Sequence, residues 1–322
     1  MRAMRLIAKL VSGTILAVLA YIALGGAMAA LAGPLKMRGE MVDVGGGRRM
    51  HLVCEGPRGA GPTVLFEAGA FGFSADWGVV QDKVAAQGFH TCSYDRAGLG
   101  LSDPGPAPRD GLAVVGDLER LLAGAHEDGP FILVGHSMAG LYLRLYAARN
   151  PDKVKGLVLV DATTPEAIDD PAVRGFVTQF TRASNLASFG ASMGLYAPLA
   201  GTWFGDKIGL TPAASAEKRR AFASPRHNRA AAIEVAQWFR TAEEAKAAGR
   251  LDPAWPVAVV VAGPSLHRLG YKSAQFAPAH QSRHGYTETV EDGRHATLLG
   301  VKFADHIVKA IDFVRDAAAA KG

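Results

Sequence analysis

Phe131-Ile-Leu-Val-Gly-His-Ser-Met-Ala-Gly140, followed by Leu141-Tyr-Leu-Arg-Leu-Tyr-Ala147, reads as a strand, a tight turn and a helix, with Ser137 at the apex. A serine hydroxyl is a weak nucleophile. To act as one it needs a strained, exposed turn beside a base, at a helix N-terminus whose backbone N–H groups can receive a developing oxyanion. Small residues at Gly135 and Gly140 meet the steric demand of such a turn, because bulk there would strike the neighbouring strand and helix.

Working outward, further short apolar runs bounded by turn residues fall at 63–67, 90–94, 156–160 and 257–262, with a last strand expected at 286–290. Continuous rather than alternating apolar character suits strands buried on both faces, and their alternation with helical stretches predicts a mostly parallel sheet flanked by helices. Runs at 40–44 and 50–54 flank Gly45-Gly46-Gly47, which predicts a hairpin. Residues 301–319 read as a closing amphipathic helix with Val301, Ile307, Ile311 and Val314 on one side. Strand signals vanish between 162 and 253. That stretch is rich in Ala, carries Phe176, Phe180, Trp203, Phe204, Trp238 and Phe239, and is broken by Pro171, Pro198, Pro212 and Pro225, as expected of an inserted helical cap.

The N-terminus carries its own signal. Arg2, Arg5 and Lys9 precede a charge-free run from Leu10 to Gly33. As a helix this run spans about 36 Å at ~1.5 Å per residue, enough for a hydrocarbon core of ~30 Å. The positive flank places the N-terminus in the cytoplasm and the bulk of the chain outside. The run exceeds the core of an ordinary signal peptide, which favours an uncleaved transmembrane anchor. Ala27-Met28-Ala29 and Ala30-Leu31-Ala32 leave open cleavage and a secreted or periplasmic product. The expected organisation is a membrane segment at 1–33, a first part of the core at 34–163, the cap at 164–252 and a second part of the core at 253–322.

Three stretches together resemble the α/β-hydrolase superfamily. The turn around Ser137 is similar to its nucleophile elbow, with Ala139 where the last glycine of Gly-x-Ser-x-Gly usually stands and Gly140 one position later. Leu65-Phe-Glu-Ala-Gly-Ala70 resembles the oxyanion loop, with Ala68 where a histidine is frequent. Tyr94-Asp-Arg-Ala-Gly-Leu-Gly-Leu-Ser-Asp103 is similar to the Asp-Arg-x-Gly-x-Gly-x-Ser loop after the fourth strand. There the resemblance implies a structural role, with Asp95 and Arg96 satisfying loop backbone and each other. It also implies that the backbone N–H groups of Ala70 and Met138 are the oxyanion donors. The likeness covers most of 41–161 well, the cap poorly and the C-terminal part moderately.

In that superfamily the order along the chain is nucleophile, acid, histidine. His295, in Asp292-Gly-Arg-His-Ala, follows the last strand and precedes the closing helix, which makes it the expected base; His267, His280 and His284 are its competitors. Arg294 stands where relatives often carry glycine. The acid is less directly placed, because 263–287 contains no Asp or Glu. Asp161, ending Leu157-Val-Leu-Val-Asp161, is the expected orienter of His295, with Asp252 and Glu288 as alternatives.

These parts imply a serine hydrolase that cleaves a carboxylic ester through an acyl-enzyme. Serine, where epoxide hydrolases and haloalkane dehalogenases use aspartate, argues against those chemistries. Acyl transfer and amide or peptide hydrolysis use the same triad, and a degenerate membrane-tethered binding protein is the rival outside catalysis. The implied partners are a small ester, apolar if the cap aromatics line the pocket, and the membrane through the N-terminal helix.

No cofactor is implied. Two cysteines make neither a disulfide framework nor a zinc ligand set; Cys54 and Cys92, in strand-like runs, are expected as buried free thiols, with a bridge left open if their strands are neighbours in an oxidising compartment. A formal charge of +5 with Lys and Arg scattered among acids argues against nucleic-acid binding.

Overall fold

Strand β5 (Phe131–His136) is buried at all six positions, and its side chains divide between two separate hydrophobic clusters. Phe131 and Leu133 join one, Ile132 and Val134 the other, which is the period-two geometry of a strand covered on both faces. The computed structural model of the chain describes residues 2–31, 38–59, 61–264 and 272–320.

Around β5 lies an eight-stranded sheet built from β1 (Glu40–Asp43), β2 (Arg49–Glu55), β3 (Thr63–Glu67), β4 (Thr91–Tyr94), β6 (Val154–Val160), β7 (Val257–Ala262) and β8 (Gly285–Val290). The order is β1-β2-β4-β3-β5-β6-β7-β8. β1 and β2 form the antiparallel hairpin expected around the glycines, β2 pairs antiparallel with β4, and every other pairing is parallel. Parallel neighbours need helical crossovers, supplied by α2 (Gly78–Ala86), α3 (Gly111–Gly124) and α4 (Ala139–Arg149). α3 and α4 pack on the face that buries Phe131. α2 and the C-terminal α10 (Ala304–Ala319) pack on the other.

Between β6 and β7 the chain runs through α5 (Pro171–Ser192), α6 (Pro212–Ala223), α7 (Pro225–Ala236) and α8 (Trp238–Ala247). Three of the prolines that interrupt the sequence pattern are helix starts rather than breaks. Pro171, Pro212 and Pro225 occupy first-turn positions, and Asp170 and Ser224 cap α5 and α7 by accepting from the N–H groups of Ala172 and His227. α9 (Lys272–Gln281) leads into β8.

Helix α1 (Arg2–Leu31) is long and apolar enough to cross a membrane by length and composition. Its exposed surface carries Leu10, Ile15, Leu16 and Leu19. It touches the rest of the chain near its C-terminal end, where Tyr21 Oη donates to the Leu195 carbonyl at 3.0 Å. Gly25 is buried against Gly194, so closely that a Cβ there would collide with the Gly194 carbonyl.

Two expectations are corrected. Cys54 and Cys92 form a disulfide rather than standing as free thiols, because the antiparallel register of β2 and β4 sets them directly opposite each other. Val301 lies ahead of α10 and is exposed, whereas Ile307, Ile311 and Val314 are buried as expected.

Candidate active site

Ser137 sits between β5 and α4 with φ of +59°, in the left-handed region that non-glycine residues seldom adopt. The sharp turn is locked by its own backbone. The Ser137 carbonyl accepts from Gly140 N–H at 3.2 Å and from Thr163 N–H at 2.8 Å, and Ser137 N–H donates to the Val160 carbonyl at 3.1 Å. A Cβ on Gly140 would collide with the Thr163 carbonyl, so this glycine lets α4 lie against the end of β6. That explains Ala139: the close approach falls one residue later than in the usual motif.

His295 and Asp161 meet across the sheet. His295 Nδ1 lies 2.6 Å from Asp161 Oδ2, with Asp161 buried and the His295 side chain half exposed. Asp161, the residue after β6, has φ of +43°, a second strained residue near the first. The Gln275 amide on α9 reaches the other carboxylate oxygen, Oδ1, at 3.4 Å. His136 lies against His295, with ring centroids 4.4 Å apart and His136 Nε2 2.9 Å from the His295 carbonyl. Burial first, and the neighbouring His295 second, lower the His136 pKa to about 3, which keeps this ring neutral.

Ser137, His136, Asp161 and His295 all border one cavity of about 910 Å³. Its floor is the end of the sheet with Gly69, Ala70 and Phe71, and its upper wall includes Val177, Phe176, Phe180 and Trp238. Of the inserted aromatics, Phe176, Phe180, Phe204 and Trp238 line the cavity while Trp203 and Phe239 do not.

The orientation of the 68–71 turn comes from Arg96. Its Nη1 donates to the Ala68 carbonyl at 2.6 Å and its Nη2 to the Gly69 carbonyl at 2.9 Å. In a trans peptide the N–H points opposite the C=O, so holding the Gly69 oxygen from one side aims the Ala70 N–H to the other. The same geometry at Ser137, whose carbonyl is held by Gly140 and Thr163, turns the Met138 N–H away from those partners. Arg96 is itself buried between Glu67 (2.6 Å) and Glu234 (2.9 Å), and Tyr94 Oη donates to Glu67. Glu234 belongs to α7, so one guanidinium ties the turn to an inserted helix. This corrects the expectation that Asp95 and Arg96 pair with each other. Asp95 accepts instead from the Ser74 and Leu101 N–H groups and lies 2.9 Å from His51 Nδ1.

The rival residues lie elsewhere. Glu288 contacts His306 Nδ1 at 2.6 Å, and Asp252 caps the turn at Ala254. His280 and His284 are exposed, and His267 falls outside the described residues. Sequence reading missed Gln275, Glu67 and Glu234, since nothing in spacing links 67, 96 and 234. Among the described residues one group could ligate a metal, Cys54, His90, Cys92 and Glu127, with donor atoms within 4.8 Å of one another. The disulfide takes both thiolates out of that set.

Residues 62–245 match the family model described as alpha/beta hydrolase fold, and the chain belongs to that family. Curated relatives include an AB hydrolase superfamily protein of Gibberella zeae, 31% identical over 139 residues, covering 42% of each chain. An uncharacterized vacuolar membrane protein of Saccharomyces cerevisiae is 35% identical over 115 residues, 33% of this chain and 17% of that one. The chain spans only 15 to 18% of the length of the first such relatives.

Among solved structures, the Cif epoxide hydrolase from Acinetobacter nosocomialis aligns with a TM-score of 0.67 at 17% identity, over 90% of this chain and 95% of that one. The enol-lactonase from Burkholderia xenovorans LB400 aligns with a TM-score of 0.59 at 18% identity, over 84% and 98%. Likeness at that identity carries the fold alone.

Proposed function

We propose that this chain is a serine hydrolase of carboxylic esters, with Ser137 as nucleophile, His295 as general base and Asp161 as its orienting acid. The observation that carries the reading is the 2.6 Å contact of His295 Nδ1 with Asp161, beside the strained Ser137 turn on the same cavity. Asp161 holds the ring so that Nε2 is free to accept, and its charge stabilises the imidazolium formed.

Ser137 Oγ bonds to the ester carbonyl carbon as its proton passes to His295, and the carbonyl oxygen becomes an oxyanion received by the Ala70 and Met138 N–H groups. Collapse breaks the carbon–alkoxy bond, and the departing alcohol takes the proton from His295. Water then repeats the sequence on the acyl-serine, releasing the acid and restoring the hydroxyl. Serine at the apex, rather than a carboxylate, supports this chemistry over epoxide opening. The phenylalanines and tryptophan above the cavity support an apolar acyl or alcohol group, and 164–252 serves as the cap that presents them.

α1 anchors the chain in a membrane with its basic start in the cytoplasm and the hydrolase outside. The Cys54–Cys92 disulfide is consistent with that side, where oxidising conditions preserve such a bond. Sequencing the mature N-terminus from membranes tests the anchor, since a start near Ala30 or Gly33 would mean a cleaved signal.

The test of the chemistry is covalent labelling by a fluorophosphonate probe, lost in Ser137→Ala, together with turnover of p-nitrophenyl esters of graded chain length. Labelling and ester turnover that both depend on Ser137 are expected. A protein that neither labels nor turns over any ester is a binding protein on this scaffold.

A further inference from the structure

We infer that the inserted helices carry a second membrane contact, and that the cavity takes its ester from the bilayer through it; the substrate half of this inference rests on the hydrolase reading above. α1 touches the inserted segment near the C-terminal end of the helix. Tyr21 and Gly25 hold the turn at Gly194 and Leu195 by a hydrogen bond and a backbone-to-backbone contact. At ~1.5 Å per residue, the 16 residues from Leu10, the first after the basic flank, to Gly25 span about 24 Å, so the contact lies within the outer leaflet of a ~30 Å hydrocarbon core entered at the basic end. Whatever surrounds that turn therefore faces the acyl chains of the outer leaflet.

Along the chain on either side of that turn lie exposed apolar residues. Leu186, Phe189 and Met193 recur at the end of α5 with the spacing of one helix face, at 71%, 63% and 39% exposure. Trp203 is 65% exposed and Phe204 50%. The Lys207 ammonium sits over both rings, 4.9 and 5.4 Å from their centroids, an aromatic and lysine pairing suited to a membrane interface. Exposed apolar clusters of this kind mark contact surfaces. Lipid is the occupant this one fits, because it lies beside the contact with the helix that spans the bilayer.

The patch is also continuous with the cavity. Phe204 and Lys207 belong to both the exposed surface and the lining that leads to Ser137. A long-chain ester resting in the outer leaflet thus reaches the nucleophile along an apolar wall, with its polar end at Lys207 and no exposure of its chain to water. The substrate class is a lipid ester with an acyl chain too insoluble to arrive from solution.

Full-length protein in phosphatidylcholine vesicles tests both halves. Vesicles whose lipids are brominated at carbons 6 and 7 of one chain should quench the tryptophan emission, and most of that quenching should vanish in Trp203→Phe. The same quenching with and without Trp203, or none, overturns the membrane contact whether or not the protein is an enzyme. For delivery, Leu186→Asp/Phe189→Asp should lower turnover of p-nitrophenyl palmitate dissolved in the vesicles at least tenfold and leave p-nitrophenyl butyrate in water within twofold. Equal effects on both esters, or no effect on either, overturn the route. If the unaltered protein cleaves neither ester, the hydrolase reading fails while the quenching result still stands or falls alone.

Discussion

Asp161 Oδ2 and His295 Nδ1 lie 2.6 Å apart although 134 residues separate them in the chain, because β6 delivers the carboxylate to the edge of the cavity that the loop after β8 reaches with the imidazole. Asparagine in place of Asp161 keeps the volume and loses the charge. Asp161→Asn should therefore lower ester kcat by roughly a thousandfold to ten-thousandfold, as the wrong tautomer and an unstabilised imidazolium dictate. Steady-state kinetics on a p-nitrophenyl ester checks this, and unchanged turnover would assign the acid elsewhere.

Removal of the Arg96 guanidinium strands two buried carboxylates. Arg96→Leu should destabilise the fold by about 3–5 kcal/mol, the usual cost of breaking one side of a buried ion pair. Adding Glu67→Gln and Glu234→Gln should recover part of the loss, since no unpaired charge then remains. Urea denaturation of the single and triple variants measures both effects; a single variant of unaltered midpoint would mean that the network contributes nothing net.

Gly140 and Ala139 separate cleanly by substitution. Gly140→Val forces a side chain toward the Thr163 carbonyl and should cost about 1–3 kcal/mol, with slower fluorophosphonate labelling of Ser137 as the turn shifts. Ala139→Gly restores the commoner residue and should leave labelling unchanged. Loss of labelling in both would move the critical approach to position 139.

Acid should weaken the fold through its neutral buried histidines. His227 Nδ1 accepts from the Gly100 N–H at 3.0 Å, and Nε2 lies 3.2 Å from the Phe71 carbonyl, an arrangement only the neutral ring satisfies. Burial, then the charge of Lys218, lowers its pKa to about 3. The unfolded ring takes its proton near 6.5, so between 6.5 and 3 the unfolded chain binds more protons and stability falls as pH falls. His136, also lowered to about 3, contributes in the same direction. Thermal midpoints across this range should decline, and less steeply in His227→Gln; parallel slopes would remove His227 from the account.

The alternation of apolar runs and helical stretches made the sheet legible, because parallel strands buried on both faces leave unbroken apolar runs such as 257–262. The sharp turn at Ser137 was legible from the small residues around it, and position along the chain pointed to His295 and Asp161, which the fold brings into contact. Gln275, Glu67 and Glu234 were not, since each acts through a partner that only the tertiary fold supplies. The disulfide stayed an alternative for the same kind of reason. Two cysteines in separate runs carry no register, and it is the antiparallel pairing of β2 with β4 that makes them neighbours.

That covalent link encloses residues 55–91, and therefore β3 and the turn that bears Ala70. The loop that holds this turn, proposed above as one half of the anion cradle, is thus fastened at both of its ends by a bond that forms only once the polypeptide has met an oxidant. With the hydrolase outside the membrane, as proposed, export and maturation would be coupled: a chain held back among reducing thiols would keep this loop open, and delivery across the bilayer would cinch it shut.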